Sequence, residues 1–292
     1  MAKKYSSLLT LDAEFAKHDF DDEMLQHRDV DINLKPMYKF VLAAGRDDTN
    51  YALEHRYENP LLDRFFTVLP LPVTITDDAT KVSKPAQETL DAVLYGGSAS
   101  GSTREFLVAL SELEQKQYNA AQTHYDRAID TDDENDRYDR YYKAFYFMNR
   151  AVLRAEMIDF IASMESNVQT LTMDDKGNTR ARVREQVTSH YDYSEALADM
   201  EQAAAIQPAM PYIQFNLGNL YCLSEQLVNA IDSYGKAIAL YPYMGEAYFN
   251  RGLVLIYLKD KEKGCIDLSR AGELGIGDAY NVISRYCEEE RN

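Results

Sequence analysis

Gln214-Phe215-Asn216-Leu217-Gly218-Asn219-Leu220-Tyr221 is answered 34 residues later by Tyr248-Phe249-Asn250-Arg251-Gly252-Leu253-Val254-Leu255. Asn216 and Gly218 return as Asn250 and Gly252. Working outward, the same step relates Ala196, Ala230 and Gly264; Met200, Tyr234 and Leu268; and Ala203, Ala237 and Ala271. Pro208 and Pro242 close two successive units. A fixed period of this size predicts stacked helical hairpins. An ordinary helical bundle has no reason to hold three successive alanines on such a step. Stacked hairpins also offer a surface for partners more often than a catalytic pocket.

Each repeated residue has a physical role. Gly218 and Ala230 are small, so the two helices of a unit can approach closely. Leu217, Tyr221 and Tyr234 fill the space between them, and Ala237 lets the next unit pack down. Pro242 starts or precedes a helix, where a missing N–H costs nothing. The unit Gln214-x2-Leu217-Gly218-x2-Tyr221, then Ala230-x3-Tyr234, Ala237 and Pro242, resembles a tetratricopeptide repeat. It departs at Gln214, where the family prefers a large aromatic. In the next unit Tyr248 supplies the aromatic, but Arg251 replaces the leucine, Gly264 the alanine and Ile276 the proline. The resemblance implies a mainly α fold, an α-solenoid of hairpins wound as a right-handed superhelix.

The chain has 292 residues and a formal charge of -17, with a pI of about 4.7. That balance opposes nucleic-acid binding, which needs a basic footprint, and binding to anionic membrane surfaces. No apolar run approaches the ~20 residues of a spanning helix, so direct membrane insertion is not expected. The first residues lack a secretion signature. The expectation is a soluble chain, cytoplasmic as given, or periplasmic and envelope-associated if it is a fragment of a signal-bearing parent. Cys222, Cys265 and Cys287 lack metal-site spacing. An odd count predicts no disulfide framework, and cysteines inside repeat helices are expected to act as small hydrophobes.

The repeats extend upstream. Tyr193 to Pro208 reads as a complete second helix, whose partner is a helix from Tyr138 to Glu165 with Asn149 and Ala151 in register with Asn216 and Gly218. An insertion near 167–190 separates the two. Val168 to Met173 and Thr179 to Val187 suggest a hairpin around Asp174 to Asn178, with a short helix the alternative for the second segment, since Val183 and Val187 are four apart. Arg180, Arg182 and Arg184 on one face read as an intramolecular counter-charge or as a docking stripe for an acidic partner. A first unit runs over about 104–135, with Ala109, Ala121, Tyr125 and Ala128 in register. The others are 138–208, 211–244 and 245–276, followed by a capping helix at 279–290. The acidic run from Asp130 to Asp136 lacks the glycine and distal glutamate of an EF-hand and reads as a solvated loop.

Residues 1–100 show no echo and read as a small strand-containing module. A helix is expected at 15–26 and another at 86–95. Strand patterns fall at 29–34, 37–43 and 65–76, with Pro70 and Pro72 demoting the last to an edge. Residues 81–85 read as a linker and Gly96 to Ser102 as flexible. His27 to Tyr38 resembles a stretch before the final repeats of large tetratricopeptide proteins of Bacteroidota, which implies that the chain could be the C-terminal part of a longer protein.

The five histidines are scattered, and no nucleophile, phosphate-loop or dinucleotide motif is present. No catalytic residue, metal or cofactor is therefore expected, and a hydrolase or transferase with a dispersed site is the last-ranked alternative. The resemblance implies a protein or peptide ligand on the concave face made by the first helix of each unit. Exposed inner positions would be Phe215, Asn219, Cys222, Phe249, Leu253 and Ile256, with Tyr212 and Tyr257 at the rim. Asn216, Asn219 and Asn250 are present without the lysines that grip a C-terminal carboxylate. The rival reading is a structural part of a larger chain whose groove is filled by its own N-terminal residues. The sequence carries no signature of an oligomeric state.

Overall fold

The structure is a computed structural model and describes residues 32–42, 73–76, 101–131, 139–166, 171–173, 179–181 and 191–287. The helices expected at 15–26 and 86–95, the linker at 81–85, the acidic loop beyond Thr131, the turn at 174–178, Arg182 and Arg184 lie outside them.

The described helices are α1 (Gly101–Glu114), α2 (Tyr118–Asp130), α3 (Asp139–Ser166), α4 (Ser194–Ile206), α5 (Pro211–Leu223), α6 (Leu227–Leu240), α7 (Gly245–Tyr257), α8 (Lys261–Glu273) and α9 (Asp278–Tyr286). They pack as hairpins: α1 on α2, α3 on α4, α5 on α6 and α7 on α8. Each second helix then lies on the first helix of the following unit, and α9 lies on α8. This is the order that a helical-hairpin solenoid requires, and it rests on the chain's own packing.

Small residues set the spacing inside the hairpins. A Cβ built on Gly218 would overlap the Tyr234 ring. One on Gly252 would meet the carbonyl of Gly264 at 3.0 Å, and one on Gly264 would meet Ile256 at 2.6 Å. The turns between first and second helices share one device. Lys116, Glu225 and Lys259 have φ of 57°, 60° and 66°. Each helps close the preceding helix, as Glu225 N–H donates to Cys222 O and Gln226 N–H to Tyr221 O. Such left-handed closures satisfy the last carbonyls of a helix. Gly275, at φ 95°, ends α8.

Asp267 explains the departure at Arg251. The Arg251 guanidinium donates to both carboxylate oxygens of Asp267, at 2.7 and 2.9 Å. Two units earlier Arg150 does the same to Asp199, at 2.8 and 2.6 Å. In the unit between them the corresponding residues are Leu217 and Ser233. Position for position, the hairpin is held by a forked ion pair or by an apolar residue beside a small hydroxyl.

Four short strands complete the described structure. β1 (Lys39–Leu42) pairs antiparallel with β2 (Val73–Thr76), with Phe40 opposite Ile75. β3 (Leu171–Met173) pairs antiparallel with β4 (Thr179–Ala181), a hairpin within the insertion. Arg180 lies in β4, opposite Thr172.

Three expectations are corrected. Residues 32–34 are not a strand: strand pairing begins only at Lys39, and before it the backbone of Lys35 and Tyr38 is received by side-chain amides. Gly101 and Ser102 open α1 and do not form a flexible link; Ser102 is fully buried. Cys265 and Cys287 are joined by a disulfide, with Cα atoms 5.8 Å apart. The odd count concealed it because Cys222 alone is left free, and α9 folds back on α8 to bring its end beside Cys265.

The main core runs from Tyr38 and Phe40 through the hairpins to Val254, and a smaller one joins α7, α8 and α9. Residues from the N-terminal stretch are therefore core residues of the solenoid.

Candidate functional site

Residues 35–42 of the chain itself lie along the first helices of the units, α1, α3, α5 and α7. Three asparagines on the repeat register receive that segment. Asn149 of α3 accepts from Phe40 N–H and donates to Phe40 O, both at 2.8 Å. Asn216 of α5 accepts from Tyr38 N–H at 2.8 Å and donates to Tyr38 O at 2.7 Å. Asn250 of α7 accepts from Lys35 N–H at 2.7 Å and donates to Lys35 O at 3.2 Å. Each primary amide thus reproduces what a neighbouring β-strand would offer. Pro36, which has no N–H, sits between two gripped residues and biases Lys35 toward extended backbone.

A further layer fixes the amides. The Asn219 amide donates to Lys35 O at 2.8 Å. Its oxygen accepts from the Tyr234 hydroxyl at 2.7 Å and from Asn250 Nδ2 at 2.9 Å. Burial holds the Tyr234 hydroxyl protonated far above its ordinary range, so it is a permanent donor to that oxygen. Tyr125 plays the same supporting part on α2, its hydroxyl receiving Asn149 Nδ2 at 3.1 Å. Buried networks of this kind are rigid when every member is satisfied.

Side chains of the segment fill aromatic seats. Tyr38 lies 4.6 Å from Tyr212 and 5.3 Å from Phe215 between ring centroids, and Phe40 lies 4.6 Å from Phe145. Phe145 and Tyr212 are each four residues before their ladder asparagine, so they occupy one register and point their rings at one kind of occupant. Lys35 places its ammonium 5.0 Å from the centre of the Phe249 ring and pairs with Asp278 of α9. Lys39, nearly buried, pairs with Glu156 of α3.

The positions expected to be exposed are mostly covered. Phe215, Asn219, Phe249, Leu253 and Ile256 are buried, and so is Tyr212, expected at the rim. The reason is the segment: Tyr212 and Phe215 flank Tyr38, Asn219 holds Lys35 O, and Phe249 lies under Lys35. Leu253 and Ile256 belong to the smaller core, and Tyr257 packs against it. Cys222 faces the Tyr234 hydroxyl at 3.7 Å, and burial pushes its thiol up to about 12. Sequence reasoning placed Asn149, Asn216 and Asn250 on one register but missed their task, and it missed Glu156. The signal was available: asparagine recurring at a helix position where the repeat does not require it.

His124 sits between Glu105 at 2.7 Å and Glu112 at 3.5 Å. These pairs tie α2 to α1. Among the described residues no group of three or more His, Cys, Asp or Glu could hold a metal ion, and no helix is long and apolar enough to cross a membrane.

No family model matches the sequence, and no curated protein does. Solved structures resemble it. TTC0263, a thermophilic TPR protein in Thermus thermophilus, is 16% identical, over 69% of this chain and 87% of that one, with a TM-score of 0.45. MamA from Desulfovibrio magneticus RS-1 is 14% identical, over 80% and 97%, with a TM-score of 0.44. YrrB, described as a TPR protein with an unusual peptide-binding site, is 13% identical, over 78% and 93%, with a TM-score of 0.42. At these scores the tetratricopeptide-like architecture rests on the 34-residue period and the hairpin packing of the chain itself.

Proposed function

We propose that this chain is a non-catalytic interaction scaffold whose concave groove is a clamp for an extended peptide segment, held in cis by residues 35–42. The observation that carries this reading is the asparagine ladder. Paired amide contacts to N–H and C=O recognise a backbone whatever its side chains, as strand addition does at a sheet edge. A surface that merely packed against a neighbouring loop would not need them.

Magnitudes sort the roles. Burying Tyr38 and Phe40 contributes about 1.5–3 kcal/mol each, whereas each amide bond contributes about 0.5–1.5 kcal/mol net. The rings hold the segment, and the asparagines fix its register and direction. The cis arrangement gives the segment a high effective concentration, so a partner peptide must match it closely to enter. The rival reading, a groove filled for structural reasons alone, shares this geometry and differs in denying exchange.

The test weakens the cis occupant and supplies it again in trans. The Tyr38→Ala/Phe40→Ala chain is mixed with a labelled peptide of residues 32–42, and both anisotropy and melting temperature are followed. A clamp binds the peptide at least about tenfold more tightly than the wild-type chain does, since the wild-type groove is already occupied, and the peptide raises the variant's melting temperature. Asn216→Ala in the same background abolishes both. Neither binding nor rescue by the peptide means that the groove is structural only.

A further inference from the structure

The clamp reading says that a segment is held; the groove also shows which segment it holds. Four occupant side chains are read separately. Phe40 and Tyr38 enter seats headed by Phe145 and Tyr212. Lys39, between them, turns to Glu156, and its side chain keeps only 6% of its exposure. Lys35 lies over Phe249 and reaches Asp278. The register gives the same reading from the solenoid side. The position four residues before each ladder asparagine is Phe145, Tyr212 and then Glu246. It changes from aromatic to acidic where the occupant changes from aromatic to lysine.

Resting on the clamp reading, we propose that the groove selects, in trans, an extended protein segment with lysine or arginine, two intervening residues, an aromatic, a second lysine or arginine, and a second aromatic. Its chain direction matches Lys35 to Phe40, running from α7 toward α3. Glu156 is the main selectivity residue. The Lys39 side chain is nearly buried while Glu156 keeps 33% of its exposure, so an acid in place of Lys39 would bring two carboxylates together with only partial screening by water. The Lys35–Asp278 pair is more exposed, with Asp278 keeping 66% of its side-chain exposure, and such pairs contribute little. Selectivity at Lys35 is accordingly weaker and comes mostly from the Phe249 ring. An overall charge of -17 favours encounter with basic segments.

The partner class is therefore a basic-aromatic segment in another protein. The cis segment, Lys35-Pro36-Met37-Tyr38-Lys39-Phe40, is its built-in stand-in.

The experiment uses the full chain carrying Tyr38→Ala/Phe40→Ala, with anisotropy of labelled 11-residue peptides. The parent peptide copies residues 32–42. The others carry Lys39→Glu, Lys35→Glu, or alanine at both aromatic positions. The expected result is a loss of tenfold or more for Lys39→Glu, a smaller loss for Lys35→Glu, and no measurable binding without the aromatics. In the second arm the protein also carries Glu156→Lys, a partly exposed position where a change leaves the core intact. The preference then reverses, with the Lys39→Glu peptide binding better than the parent. Equal binding of the parent and Lys39→Glu peptides overturns the charge reading and leaves the clamp standing. Absence of binding by every peptide, with no rise in melting temperature, overturns the clamp and this inference together.

Discussion

Asn216 closes a two-bond ring on the backbone of Tyr38, taking its N–H at 2.8 Å and giving to its carbonyl at 2.7 Å. The two residues are 178 positions apart in sequence, and both are almost completely buried. One side-chain amide thus engages a donor and an acceptor of the same residue. Asn216→Ala would remove both of these bonds from a residue where water has poor access, at about 1–3 kcal/mol per bond lost. A loss of about 2–4 kcal/mol is expected by urea denaturation. Hydrogen exchange at Tyr38 should accelerate with it. Asn216→Asp should cost at least as much, because it faces the Tyr38 carbonyl with an acceptor. Unchanged exchange at Tyr38 would mean that the ring is not what holds the segment.

Arg251 and Asp267 make a second prediction, since the repeat carries its own control. Arg251→Leu alone leaves the Asp267 carboxylate, whose side chain keeps 8% of its exposure, without its partner. Breaking a buried pair from one side costs about 3–5 kcal/mol. Arg251 is partly exposed, so a cost of about 2–3 kcal/mol is the better expectation. The double change Arg251→Leu/Asp267→Ser installs the pair found at Leu217 and Ser233, and should return stability to within about 1 kcal/mol of the parent. A double variant as unstable as the single one would show that the two positions are not coupled.

How much of this was legible depends on whether the information was periodic. The hairpins were, because Ala196, Ala230 and Ala237 are forced small by helix approach, and that constraint recurs with every unit. Arg251 read as a departure because its explanation lies 16 residues away, in a partner that means nothing until the helices are paired. The inner face was legible in outline but wrong in exposure. Nothing in the repeat says that residues 35–42 return to cover Tyr212 and Phe215, since that contact links one non-repeating stretch to several units at once. The asparagines were visible on their step. Without lysines beside them they did not suggest a carboxylate grip, and a grip on internal backbone leaves no sign in the occupant's sequence. Cys265 and Cys287 were hidden for a similar reason: one pair plus one free thiol looks like no framework at all.

Gly218 gives a steric prediction. A methyl group there would overlap three atoms of the Tyr234 ring, the farthest of them at 2.8 Å, and that ring is fully buried. Gly218→Ala gains helix propensity of about 1 kcal/mol but overpacks a core position, which typically costs about 1–3 kcal/mol. Because the ring is also tied to Asn219, it cannot simply turn aside, and a net loss of about 1–2 kcal/mol is expected in thermal or urea unfolding. Adding Tyr234→Met should recover part of it, since Ala151 and Met200 stand at these positions one unit earlier. No recovery would locate the clash elsewhere.

Cys222 sets a chemical test of the same region. Burial holds its thiol up to about 12, with the hydrogen bond to Tyr234 opposing only part of that. The thiolate is the reactive form, so the folded protein should resist iodoacetamide at pH 8, and one thiol per chain should become alkylated on unfolding with the disulfide kept. The sign of the linkage follows. The folded state binds this proton more tightly than the unfolded chain does, so the contribution to stability is complete below the ordinary thiol range. It is lost as pH rises from there toward about 12. Cys222→Ala should flatten that alkaline decline. Rapid alkylation of the native protein would contradict the raised thiol and its contact with Tyr234.

The Cys265–Cys287 bond closes a separation of 22 residues and ties the end of α9 to α8. In the chain-entropy account a loop of this size is worth about 3 kcal/mol. Reduction should not release the cap outright, because Val282, Ile283 and Tyr286 still pack on the core formed by Phe249, Leu253 and Leu268. The expected outcome is local. Under a reductant, amide exchange should rise by about a hundredfold across residues 278–286, as a loss of about 3 kcal/mol of local stability implies. The amides of α5 and α6 should be unaffected. Lys35, which reaches α9 through Asp278, should exchange only slightly faster, because its N–H is held by Asn250 on α7 and the exposed ion pair adds little. An equal rise throughout the solenoid would show instead that the bond stabilises the fold as one cooperative unit.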